Sequence, residues 1–144
     1  MSRTANIDTS GLRRCIDTLE AAFTHLQRQS PDGAVRDIFR AACVKEFELV
    51  LEVGGALLRR RLGEFLASNR QADRLTFRDA FRHAAKHGLV SAEACERWLQ
   101  YRDVRNASAH DDGGHFAETA LELLPAFVAD ARALAAAVGE DGDG

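Results

Sequence analysis

The residues best suited to chemistry lie in one short string, Arg105-Asn106-Ala107-Ser108-Ala109-His110. A histidine gives and takes protons near neutral pH, and an arginine that is always charged can hold a phosphate or stabilise negative charge as it develops. The pair therefore suits phosphodiester chemistry. On a straight helix, positions five apart are separated by about 500°, or roughly 140° modulo a turn, so the two side chains share a face only if the chain bends. Asp111-Asp112-Gly113-Gly114 follows at once and supplies a reason for a bend or a helix end. The small residues between Arg105 and His110 leave room for a ligand or a second chain. The same residue types also suit a helix end with a solvated arginine and a capping histidine, so the spacing leaves both readings open.

Other groups are weaker candidates. His83 and His87 stand four apart, as two metal ligands on one helix face would, but no cysteine or carboxylate of matching spacing follows. No metal and no cofactor is therefore expected. Arg59-Arg60-Arg61, with Arg70, Arg74, Arg78 and Arg82 further on, reads either as a basic edge for RNA or an acidic partner, or as a solvated helix face. Cys15, Cys43 and Cys95 are odd in number, widely spaced and without a C-x-x-C, which fits small buried hydrophobes better than disulfides or zinc.

The elements that must hold the Arg/His string are helical by pattern. From Ser10 to about Gln29, Leu12, Cys15, Ile16, Leu19, Phe23 and Leu26 recur every three or four residues. Ser30-Pro31-Asp32-Gly33 breaks that run, and a longer one follows from Val35 to Phe65. Gly54-Gly55 in its middle points to a kink or a close helix contact, since each glycine weakens a helix by roughly 1 kcal/mol relative to alanine. Ser68 to Leu75 reads as a loop. Thr76-Phe77-Arg78-Asp79 resembles a capping box, Gly88 should close the short helix it opens, and Ser91 should cap the next. That helix carries Ala94, Trp98, Tyr101 and Arg105 on or near one stripe. The last runs from about His115 to Val138, with Pro125 expected to kink or break it.

Length and composition agree with this pattern. The chain has 144 residues with only 2 prolines, and it is rich in Ala, Leu, Arg and Glu, so one all-α domain of four to five helices is expected. Residues 1–9 read as an N-terminal extension, 10–138 as the helical domain and 139–144 as a polar tail. A net charge of -3 excludes a protein that coats nucleic acid or an anionic membrane through bulk charge. No apolar stretch approaches the roughly 20 residues needed to cross a bilayer. Met1-Ser2-Arg3-Thr4-Ala5-Asn6 has no apolar core suited to a signal peptide, so a cytoplasmic location without membrane contact is expected.

Several of these segments together resemble the HEPN family. Arg105 to His110 is similar to its R-x4-H signature, in which a polar residue, often asparagine, follows the arginine. Phe47-Glu48 resembles the family's "FE" pattern, and Phe81-Arg82-His83-Ala84-Ala85-Lys86-His87-Gly88-Leu89-Val90 resembles its "reAakaGLI" stretch. Trp98 precedes the motif at the expected distance. The best match is the branch of nucleotidyltransferase substrate-binding proteins, partners of minimal nucleotidyltransferases in two-gene toxin-antitoxin modules.

The resemblance implies an antiparallel helical bundle that forms a homodimer, with the two R-x4-H motifs meeting in one cleft as a metal-independent endoribonuclease. Carried over, His110 is the general acid/base, Arg105 the contact to phosphate and transition state, and Asn106 a residue that orients these groups or the RNA. It also implies inhibition by a cognate minimal nucleotidyltransferase antitoxin. The alternative is a non-catalytic subunit that binds a substrate or nucleotide for that enzyme. The stripe around Trp98 and Tyr101 would serve either the dimer interface or the core. Many toxins of the branch have a tyrosine, modified by the partner with adenylate groups, where this chain has Asp112, and this departure leaves the mode of neutralisation open.

Overall fold

The computed structural model describes residues 6–107 and 114–139, with the side chains of the second stretch described from 118 onward. Among the described residues the chain is all-helical: α1 (Ser10–Gln27), α2 (Ala34–Leu62), α3 (Asn69–Asp73), α4 (Phe77–Lys86), α5 (Ala92–Ala107) and α6 (Gly114–Gly139). The pattern predicted four to five helices; the additional one is α3. Its five residues carry too little apolar periodicity to show in sequence, and they are nucleated by a cap. Ser68 Oγ accepts the Gln71 backbone N–H at 3.0 Å, and Ala72 is buried beneath the turn.

α2 is the central strut. It packs against α1, α3, α4, α5 and α6 and buries Cys43, Phe47, Val50, Leu51, Leu58 and Leu62 toward them. A helix enclosed on so many sides needs places where its neighbours can come close, and Gly54-Gly55 provides one. A Cβ on Gly54 would lie 3.2 Å from Leu134 Cδ2 of α6, and one on Gly55 would lie 3.4 Å from Phe77 Cδ2 of α4. The glycine pair thus serves helix contact.

Capping follows the sequence closely. Thr76 Oγ1 accepts the Asp79 N–H and Ser91 Oγ accepts the Ala94 N–H, each at 3.0 Å. Gly88 has φ of 77°, and the N–H groups of Gly88 and Leu89 return to the carbonyls of Ala85 and Ala84. This is a Schellman closure, which favours glycine at the left-handed position. At Pro125 the expectation of a break fails, because α6 continues through it. The proline itself is exposed, while Leu124, Phe127, Val128 and Ala131 on both sides of it are buried in the core. Packing there outweighs the one backbone hydrogen bond that proline cannot donate.

The arginine run at the end of α2 is another correction. Arg60, like Arg70, Arg74, Arg78 and Arg82 further on, is exposed as a basic edge or a solvated face requires, but Arg59 and Arg61 are not. Arg59 Nε donates to the Leu75 carbonyl at 2.9 Å. Arg61 is 2% exposed and donates through Nε and Nη2 to the Val138 carbonyl at 2.9 and 2.6 Å, and through Nη1 to Glu64 at 2.7 Å. It satisfies a carbonyl in the last turn of α6, where a cation also complements the helix dipole. No described helix is long and apolar enough to cross a membrane.

Candidate functional site at the end of α5

The rotation of α5 is fixed by its middle. Trp98 and Tyr101 are each 1% exposed and pack on Phe127 of α6, which also meets Phe47 of α2 at 4.6 Å between ring centroids. Trp98 stacks further on Phe81 at 4.9 Å. These two side chains are therefore core, and the interface role considered for them is not available. A polar clamp adds direction to the packing. Arg97 donates to both carboxylate oxygens of Asp130 at 2.8 Å, and the Tyr101 hydroxyl donates to the same carboxylate at 2.6 Å.

That clamp sets the protonation of its members. Burial, reinforced by the bond to Asp130, pushes the Tyr101 phenol well above its ordinary value. Burial alone would raise Asp130, but the hydrogen bonds from Arg97 and Tyr101 and the arginine's charge outweigh it and hold the carboxyl low. Sequence patterning did not single out this network. The available signal was a lone acid, Asp130, on the apolar side of α6 among Phe127, Ala131 and Leu134.

With Trp98 and Tyr101 turned inward, the next turn of α5 brings its charged residues to the rim. Arg105 is half-buried, and its Nε lies 3.7 Å from Glu48 Oε2 on α2. Phe47-Glu48 is thus resolved into two functions: the phenyl ring fills the core, and the carboxylate faces Arg105. Asn106 is exposed and lines a cleft between α4 and α5 with Arg78 and Arg102, a cleft that neither Arg105 nor Glu48 lines. The structure therefore separates Asn106 from the Arg105–Glu48 pair. His110 and Asp112 lie outside the described residues. α5 and α6, the helices on either side of the motif, both rest on α2. Across that junction Arg40 of α2 approaches Glu118 of α6 at 3.4 Å.

The other candidates fall elsewhere. His83 and His87 stack with ring centroids 6.4 Å apart, and Phe65 stacks on His87 at 4.5 Å. Among the described residues no three His, Cys, Asp or Glu side chains gather as metal ligands would. The cysteines are free; Cys43 and Cys95 are buried, and burial pushes the Cys43 thiol up to about 11.

A helical bundle with these features is a HEPN-type domain, and the chain belongs to the family described as nucleotidyltransferase substrate binding protein like, whose model matches residues 8–140. Among curated proteins it is similar to the probable ribonuclease HepT of Haemophilus influenzae, at 27% identity over 106 residues, spanning 66% of this chain and 71% of that protein. Among solved structures it resembles HI0074 of Haemophilus influenzae, described as the fold of a substrate binding domain of a nucleotidyltransferase. That match has a TM-score of 0.78 and 21% identity and covers 92% of this chain and 100% of the other, a likeness of fold.

Proposed function

We propose that this protein is the toxin of a two-gene module with a minimal nucleotidyltransferase antitoxin, and that it cleaves RNA as a metal-independent endoribonuclease. Two chains pair so that Arg105 and His110 of each line one cleft. The observation that carries the reading is the placement of Arg105. It stands half-buried at the rim, at the end of the helix that leads into the His110 segment, with Glu48 beside it, whereas Arg61 is consumed by buried structural bonds.

The chemistry follows from these groups. A histidine removes the proton from a ribose 2′-OH, and the oxygen attacks the adjacent phosphorus. The bond from phosphorus to the 5′-oxygen breaks, that oxygen takes a proton from the second histidine, and a 2′,3′-cyclic phosphate remains. Arg105 neutralises charge building on the phosphoryl oxygens. The test is cleavage of RNA by the purified full chain in EDTA. Wild type should cut, and His110→Ala should lose about 10²–10⁴-fold in rate with an unchanged helical circular-dichroism spectrum. Equal rates in both would overturn the proposal.

A second reading is favoured by the names of the family and of the solved relative. The chain would then be a non-catalytic subunit that holds a substrate or nucleotide for the nucleotidyltransferase. It expects tight association with that enzyme, no cleavage, and no toxicity when this chain is expressed alone.

A further inference from the structure

In the cleft between the start of α4 and the second half of α5 only Asn106 has been given a role, and the lining is unlike the rest of an acidic chain. We infer that it binds a phosphodiester group of the RNA strand next to the one being cut; this rests on the ribonuclease reading above. The cleft has a volume of about 220 Å³ and takes Arg78 from α4, and Arg102 and Asn106 from α5. Arg102 is held over the buried Phe77 ring, with its guanidinium carbon 5.3 Å from the ring centroid. The cation–π contact holds the guanidinium at the cleft, and a planar fork of donors matches two phosphate oxygens.

The acid lining the cleft is Asp103, and its carboxylate lies 3.8 Å from Arg78 Nη2, with side chains 68% and 49% exposed respectively. A pair so long and so wet is weak, leaving Arg78 able to exchange the carboxylate for a phosphate. Two arginines against one acid give the local positive charge that a chain of net charge -3 must concentrate somewhere to hold RNA. Placement favours an RNA strand over a nucleoside monophosphate. Arg102 and Arg105 are three residues apart on α5, a rise of about 4.5 Å, and Asn106 follows Arg105 directly. An RNA strand carries a phosphate at every step and can meet both arginines; a mononucleotide's phosphate meets one.

The experiment is a fluorescence-anisotropy titration of the full chain with a short single-stranded RNA, fully 2′-O-methylated so that it lacks the attacking hydroxyl. Combining Arg78→Gln with Arg102→Gln should raise Kd at least tenfold. It should also lower the slope of log affinity against log salt by about 1.4, the loss of two single-strand phosphate contacts. Arg102→Lys should fall between, and Arg28→Gln, on the exposed end of α1, should match wild type. If the double variant unfolds by circular dichroism, Asn106→Asp reads the same cleft by placing a carboxylate in it and should also raise Kd. An unchanged Kd and slope in the folded variants overturns the inference, as does a variant that loses AMP binding but keeps RNA affinity. No binding of this RNA by wild type at low salt overturns it too. Because the probe cannot be cut, a chain that binds it through Arg78 and Arg102 but leaves ordinary RNA intact removes the ribonuclease reading alone.

Discussion

Arg105 Nε lies 3.7 Å from Glu48 Oε2, joining the last turn of α5 to the middle of α2. Both side chains are about one-third exposed, so the pair adds little to stability and its value is orientation. Arg105→Ala should lower the rate of RNA cleavage in EDTA by about 10²–10³-fold, the usual cost of one lost donor to a developing oxyanion. Unfolding free energy should change by less than about 1 kcal/mol. Glu48→Gln keeps the arginine and its charge, so its loss in rate should be smaller than that of Arg105→Ala. Cleavage assays paired with denaturant titration separate these outcomes. A Glu48→Gln loss as large as that of Arg105→Ala would show that the carboxylate does more than orient.

Arg61 tests the opposite kind of arginine. Its guanidinium is buried and satisfies the Val138 carbonyl and Glu64. Arg61→Met keeps most of the volume but leaves that carbonyl without its donor, so it should cost about 1–3 kcal/mol in urea titration. Arg60→Gln, one position earlier and exposed, should stay within about 0.5 kcal/mol of wild type.

The contrast between neighbouring arginines shows where sequence reading reaches its limit. Helix α1, the caps at Thr76 and Ser91 and the closure at Gly88 are legible because their signals are local: an apolar period, a side chain three residues from its N–H partner, a glycine at positive φ. The family resemblance was legible for the same reason, since its motifs are short strings. Arg61 is different. Its partner Val138 is 77 residues away, and nothing in Arg59-Arg60-Arg61 distinguishes the arginine that turns inward. Glu48 was visible as half of a pattern, yet its pairing with Arg105 depends on how α2 and α5 cross. Asp130 could have been suspected as an acid in an apolar stripe, but not that Arg97 and Tyr101 would share it.

The glycine pair in α2 gives a graded prediction. Gly55→Ala places its Cβ 3.4 Å from Phe77, an ordinary contact, so the gain in helix propensity of up to about 1 kcal/mol should leave stability equal or higher. Gly54→Ala meets Leu134 at 3.2 Å, and Leu134 is itself buried and has little room to give. It should be less stable than Gly55→Ala, and Gly54→Val should lose about 1–3 kcal/mol through overpacking. Thermal unfolding followed by Trp98, the chain's single tryptophan, reads all three. Equal stability for Gly54→Val and Gly55→Ala would mean that α6 is free to move away.

The Tyr101–Asp130–Arg97 clamp predicts how stability depends on pH at both extremes. Asp130 is held below its ordinary value of 3.8, so its contribution is present above that pH and is lost as pH falls through the lower folded value. Tyr101 is raised above its ordinary 10.0, so its contribution is complete below pH 10 and is lost as pH rises beyond it, when the unfolded chain ionises first. Tyr101→Phe should cost about 1 kcal/mol at neutral pH, since Arg97 still satisfies Asp130. Asp130→Ala should cost about 1–3 kcal/mol, mainly because it leaves the buried phenol unpaired, while the part-exposed Arg97 returns to water. Above pH 10 the stabilities of wild type and Tyr101→Phe should converge, because only wild type gains by unfolding to an ionised phenol. Tyr101 is the single tyrosine, so tyrosinate absorbance follows it directly. The signal should appear together with loss of helix; tyrosinate formed in a chain that is still helical at pH 10 would show that the phenol is not clamped.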